Sequence, residues 1–253
     1  MNDIVKVKYE WSYTPRTAIK NILKIDSEYG EIIFRNGIVS VEIETSNCKW
    51  NESLKLDLKV RSIAGSASLI EHKEIVLDGP CRSDTKKDGA KHYILNVHNC
   101  IIRTSSESVE LVAYDQNGNE ISNPRKTIEK KIFTLALLFE KYRTDNFFKQ
   151  MYNSYQQSIT DSKNELIHLY EIRETICLIF NGKENSIKAL NISKSQWDIL
   201  GILANTEPLL EGRHRGKVMP GMKRQANTQE LTDARQCALE MIEKYLNYLE
   251  QKN

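Results

Sequence analysis

Five fixed positive charges and a histidine crowd into the fifteen residues EGRHRGKVMPGMKRQ, Glu211 to Gln225. Gly212 and Gly216 bracket Arg213, His214 and Arg215; Lys217 follows at once, and Lys223 and Arg224 come later. Glycine lets a backbone turn sharply and approach a ligand closely. A guanidinium can pair with two phosphate oxygens together, and an ammonium adds a point charge. An imidazole between two cations gives up its proton more readily, and a neutral histidine beside arginines suits general-base cleavage of an RNA phosphodiester. The catalytic candidates are therefore His214 and Arg213. The anion-binding candidates are Asn205, Arg213, Arg215, Lys217, Lys223 and Arg224. A basic run is also a common solvated feature, and its arginines could pair with Glu207, Glu211 or helix carboxylates to fix a loop. The residues alone leave binding, catalysis and simple loop-pinning open.

Two other constellations compete. In HYILNVHNC (92–100), strand alternation puts His92, Asn96, His98 and Cys100 on one face. His98 and Cys100 could both reach a metal, but zinc needs three or four ligands and only Cys81 lies at the edge of the preceding loop. A solvated polar face is the better reading, so no metal and no cofactor is expected. In HLYEIRETI (168–176), five residues of helix separate His168 and Arg173 by roughly 140°, so they do not share a face. Tyr170 shares one with Arg173 and Glu174. That side reads as the solvated flank of a helix, or as a set of groups facing the basic segment across a bundle.

Charge is distributed unevenly. Residues 1–122 carry 16 basic and 18 acidic side chains, whereas residues 123–253 carry 20 and 16. The 211–225 segment, with five basic residues and one acidic, matches the whole excess of the second half. Such asymmetry suggests an anionic partner. No apolar run approaches the roughly 20 residues that span a bilayer, and the start, MNDIVKVKYEW, has no signal-peptide pattern. The five cysteines are odd in number, scattered and never CxxC, which fits a reducing compartment. A cytoplasmic location without a membrane is the expectation.

Two kinds of periodicity must position these groups. VKVKYEW, EIIFRNGIVSVEIE, LKLDLKV, HYILNVHNCII and SVELVAYDQNGNEI alternate with period two, and DGPCRSDTKKDGAK (78–91) reads as a polar loop. Asn36-Gly37 and Asn117-Gly118 supply hairpin turns. After Asn123-Pro124 the period becomes helical. Stripes run through Ile128–Tyr142, Phe148–Ile159 (Thr144 as N-cap), Leu166–Ile179 and Leu231–Leu249, and Ser193 and Gln196 form a capping box for a short helix with Trp197. The expected fold class is α+β. An N-terminal antiparallel β-sandwich-like or curled-sheet domain (1–122) is followed by a C-terminal α-helical bundle (126–253) carrying the basic loop 211–225.

Residues 126–253 resemble the HEPN superfamily of small helical bundles. The resemblance rests on helix order and on LANTEPLLEGRHRGK, a polar Asn and Arg-His element placed ahead of the final helix TDARQCALEMIEKYLNYL. It implies an RNase, or a non-catalytic RNA-binding and dimerisation module, of a bacterial toxin–antitoxin or anti-phage system. Catalytic members carry an arginine four to six residues before a histidine. Neither His168 nor His214 has one; Arg213 and His214 are adjacent, and Asn205 lies nine residues before His214. The expected partners are RNA or another phosphate-bearing ligand, a second copy of the chain, and a protein docked on the β domain. The alternative is a non-catalytic scaffold module.

Overall fold

The computed structural model describes residues 4–19, 21–46, 52–94, 113–114, 120–122, 124–213, 219 and 221–252. The chain forms two compact units, Met1–Glu140 and Lys141–Asn253. No helix among the described residues is long and apolar enough to cross a membrane.

The first unit is built on a six-stranded antiparallel sheet. Strands β1 (Ile4–Thr14), β2 (Leu23–Ser27), β3 (Gly30–Arg35), β4 (Ile38–Glu44), β5 (Val76–Lys86) and β6 (Lys91–Ile94) take the order β2-β3-β4-β1-β5-β6. Alternation gives the sheet a dry face and a wet one. Val7, Tyr9, Trp11 and Tyr13 of β1 are buried together with Ile32, Phe34, Val39, Val41 and Ile43. On the other face Lys6 pairs with Glu42 and Lys24 with Glu31. The β3–β4 hairpin turns at Asn36 and Gly37, both with positive φ (51° and 85°), as that dipeptide predicts. A small second pair, β7 (Ala113–Tyr114) and β8 (Glu120–Ser122), is antiparallel. The Asn117-Gly118 turn lies outside the described residues.

Two segments depart from the strand-and-loop expectation. LKLDLKV belongs to a helix, α1 (Ser53–Glu71). Its seven residues alternate, but continuing the run gives Leu56, Val60, Ile63, Ala64 and Ala67, a helical stripe that joins the sheet's core. Trp11 Nε1 donates to Asp57 Oδ1 at 2.8 Å, tying that helix to β1. DGPCRSDTKKDGAK is mostly β5, not a loop. Gly79 and Pro80 sit at the register shift between β5 and β1, where ladder irregularity tolerates both. Gly79 has φ 119°, a conformation side chains rarely adopt, and a Cβ there would crowd the Glu10 carbonyl at 3.1 Å, so glycine suits the position. The antiparallel sheet of the first unit and the helices of the second give the expected α+β fold class, with α1 among the described residues packed on the sheet's dry face.

Helix α2 (Pro124–Tyr142) carries the expected stripe, but Ile132 and Ala136 enter the core of the sheet unit. The boundary between units therefore falls inside α2, after Glu140, rather than at Asn123-Pro124.

The second unit holds α3 (Asn146–Thr160), α4 (Glu165–Ile179), α5 (Lys183–Leu190), α6 (Lys194–Gly201) and α7 (Thr228–Lys252). Asp145, not Thr144, caps α3, its carboxylate accepting from the Phe148 N–H at 2.7 Å. Asn181 and Gly182, both at positive φ, separate α4 from α5. Ser193 and Gln196 form the capping box of α6. Leu166, Leu169, Ile172 and Ile176 of α4 are fully buried, as are Trp197 of α6 and Ala238 and Ile242 of α7. Glu165, almost wholly buried, takes both Nε and Nη2 of Arg235 at 2.5 and 2.9 Å and joins α4 to α7. Cys237 is buried and free, with its thiol pushed up to about 12 by burial.

Candidate functional site

The basic segment leaves and rejoins the helices through a backbone clamp. After α6 the chain continues as a single π-turn, Ile202–Thr206, closed by the Glu207 N–H on the Ile202 carbonyl at 2.9 Å. Such wide turns recur near functional sites because they displace side chains from the helical register. Leu209 and Arg224 then form a parallel bridge. The Leu210 N–H donates to the Arg224 carbonyl (2.9 Å), and the Arg224 N–H to the Pro208 carbonyl (3.1 Å). Glu211 accepts the Ala226 N–H at 3.1 Å. Gly212 lies so close to the π-turn that a Cβ there would stand 3.0 Å from the Ala204 carbonyl, and the next N–H, of Arg213, donates to that same oxygen at 2.7 Å.

Of the residues singled out from the sequence, Arg213 is the one the described structure places against α4. Its Nη1 donates to Glu174 Oε1 at 2.6 Å, and its guanidinium carbon lies 4.8 Å from the centre of the Tyr170 ring. Both charged side chains are exposed. Arg224 is committed to carboxylates, through Nη1 and Nη2 to Glu230 (2.7 and 2.6 Å) and through Nη2 to Glu207 (3.3 Å). These bonds hold the Glu230 carboxyl down at about 2. Lys223 is half-buried and makes no ion pair among the described residues. Asn205 lies in the π-turn, its Oδ1 buried and without a hydrogen bond among the described residues. His214, Arg215 and Lys217 lie outside the described residues, as do Asn96, His98 and Cys100.

A second arginine joins Arg213. Arg173, one residue before Glu174 on α4, stacks its guanidinium 5.2 Å from the Tyr170 centroid and 5.2 Å from that of Trp197. It makes no hydrogen bond or ion pair among the described residues. Tyr170, Arg173 and Glu174 fall at i, i+3 and i+4, the spacing that aligns side chains on one helical face. This face was legible in the sequence, but the role of Trp197 was not. A tryptophan in a helical stripe reads as core, and it is fully buried. Gly201, at the end of α6, leaves the space that Arg173 fills; a Cβ there would meet Nη1. A glycine inside a helical pattern was the available signal.

His168 lies elsewhere. Its Nε2 is 3.3 Å from Asp161 Oδ2 and its Nδ1 3.6 Å from Glu171 Oε2, and Glu171 also accepts from Ser154 at 2.9 Å. The cluster pins α3 to α4. No group of three or more His, Cys, Asp or Glu among the described residues is placed to hold a metal.

The chemistry gathered here is that of an oxyanion's partners. Two guanidiniums share one tyrosine ring, one of them without a carboxylate, at the foot of a loop rich in further cations. No protein family, curated protein or solved structure matches this chain.

Proposed function

We propose that the helical unit binds RNA or another phosphate-bearing ligand through Arg213, Arg215, Lys217 and Lys223, with Asn205 and Arg224 shaping the foot of the loop. The observation that carries this reading is the convergence of Arg213 and Arg173 on Tyr170, with Glu174 the carboxylate bonded to Arg213. An exposed ion pair contributes only about 0–1 kcal/mol, so a phosphate displaces Glu174 from Arg213 at little cost. Ribonuclease chemistry on this site would use His214 as general base and Arg213 to neutralise the phosphate. The setting that goes with the reading is a HEPN-like bacterial stress or phage-defence protein acting in the cytoplasm. It would dimerise through its bundle helices and engage a protein partner with the sheet unit.

The test is binding of a labelled single-stranded RNA across a salt series. Phosphate contacts release counterions, so affinity falls steeply with salt, by a log–log slope of about 0.7 for each phosphate contacted. Arg213→Ala and Lys223→Ala each make the slope shallower. His214→Ala abolishes cleavage without disturbing binding or the fold.

The pairing of Arg224 with Glu230 and Glu207, and of Arg213 with Glu174, favours a second reading, a non-catalytic scaffold module whose basic loop is simply fixed in place. RNA affinity that ignores salt, or no RNA binding, selects that alternative.

A further inference from the structure

The charges of the basic loop are adjacent in sequence, yet an arginine with no carboxylate partner among the described residues lies on α4. Arg173 is half-buried and has no hydrogen bond or ion pair among the described residues. The acidic groups around it are already engaged. Glu174 accepts from Arg213 at 2.6 Å, and Asp198 accepts from Lys183 at 2.7 Å. Tyr170 and Trp197 each have their ring centre 5.2 Å from the guanidinium carbon and Nη1 abuts Gly201, so the group is held in place with no protein acceptor among the described residues, and a guanidinium so placed can pair with an oxyanion. Beside it, Trp197 is fully buried and its Nε1 makes no hydrogen bond among the described residues, so Arg173 is the polar group its ring is in contact with. Gly201 completes the slot, since any larger residue would push the guanidinium out.

We infer that Arg173, seated beside Tyr170, Trp197 and Gly201, is a phosphate-binding residue of this protein, with Arg213 on the same tyrosine ring. The ligand class rests on the reading under Proposed function; the seat itself does not.

The test uses the full chain with a fluorescein-labelled single-stranded RNA, read by anisotropy, and with inorganic pyrophosphate, read by intrinsic tryptophan fluorescence. Arg173→Lys keeps the charge and loses the planar, two-point donor, so RNA affinity drops about tenfold. Gly201→Ala keeps every charge and displaces only the flexible tip of Arg173, so RNA affinity drops severalfold with the melting temperature preserved. If Arg213→Ala and Lys223→Ala weaken RNA binding but Arg173→Lys and Gly201→Ala do not, the loop reading stands and the seat is overturned. If the wild type binds no RNA, the loop reading loses its ligand and pyrophosphate decides the seat. A fluorescence change that Arg173→Lys abolishes supports it, and no change in the wild type overturns it.

Discussion

Arg224 grips Glu230 through both terminal nitrogens, and Glu230 in turn accepts the Asn227 N–H at 2.8 Å, while the Glu230 N–H donates to Asn227 Oδ1 at 2.9 Å. One carboxylate thus closes the capping box of α7 and anchors the return of the basic loop. Its pKa is depressed, about 2 against an ordinary 4.5, chiefly by the hydrogen bonds from Arg224. A depressed carboxyl contributes stability that is fully present above the unfolded value and is lost as pH falls through the folded one. Circular-dichroism melts should therefore show Glu230→Gln already weakened at pH 7 and losing less than the wild type between about pH 4.5 and 2. Equal losses in that window would remove Glu230 from the acid response.

The Glu165–Arg235 fork is more deeply set. Charge-assisted hydrogen bonds contribute roughly 1.5–3 kcal/mol, and Arg235 keeps partial access to water, so Glu165→Ala should destabilise the helical unit by about 2 kcal/mol. The Glu165→Ala, Arg235→Ala double variant should recover part of that loss in a denaturant titration. Strict additivity would mean that the two side chains do not cooperate.

Leu54 and Leu56 discriminate between a helix and a strand at 53–60. Strand alternation makes them equivalent, whereas in α1 Leu54 is 73% exposed and Leu56 only 1%. Leu56→Ala should cost about 2–5 kcal/mol and Leu54→Ala within roughly 0.5. Chemical denaturation of the two variants is sufficient, and matched losses would contradict the helix.

On the proposed reading, Glu174, bonded to Arg213, would compete with an anion for it. Replacing it with glutamine should tighten RNA binding by up to about fivefold, the range set by an exposed pair of 0.2–1 kcal/mol. The same anisotropy assay reads it, and weaker binding would mean that Glu174 positions Arg213 rather than occupying it.

Periodicity carried the sequence reading furthest where one face is dry and the other wet. The β1 alternation, the α4 stripe, the Asn36-Gly37 turn and the Ser193 capping box each depend on neighbours a few residues away. LKLDLKV misled because seven residues satisfy both periods, and only the longer run to Ala67 separates them. The Val76–Lys86 strand was obscured by Gly79 and Pro80, which resemble loop punctuation until β1 is known to lie beside them. At the site, charge count located the loop, and the shared face of Tyr170, Arg173 and Glu174 followed from helical spacing. The partnership with Trp197 and Gly201 was hidden because it joins residues of two helices, and no local pattern encodes which helices meet.

The Leu209–Arg224 bridge has an evolutionary consequence. Its two backbone bonds join Pro208 and Leu210 to Arg224, so main chain rather than side chains brings the ends of the enclosed segment together. Lengthening an enclosed segment is inexpensive once its ends are fixed, about 0.6 kcal/mol for each doubling. The clamp therefore tolerates a change of length in the segment it encloses, while Glu211, Gly212 and Arg213 stay where their contacts with Ala226, Ala204 and Glu174 hold them. On the proposed reading, ligand preference would drift with that segment faster than the fold that presents it.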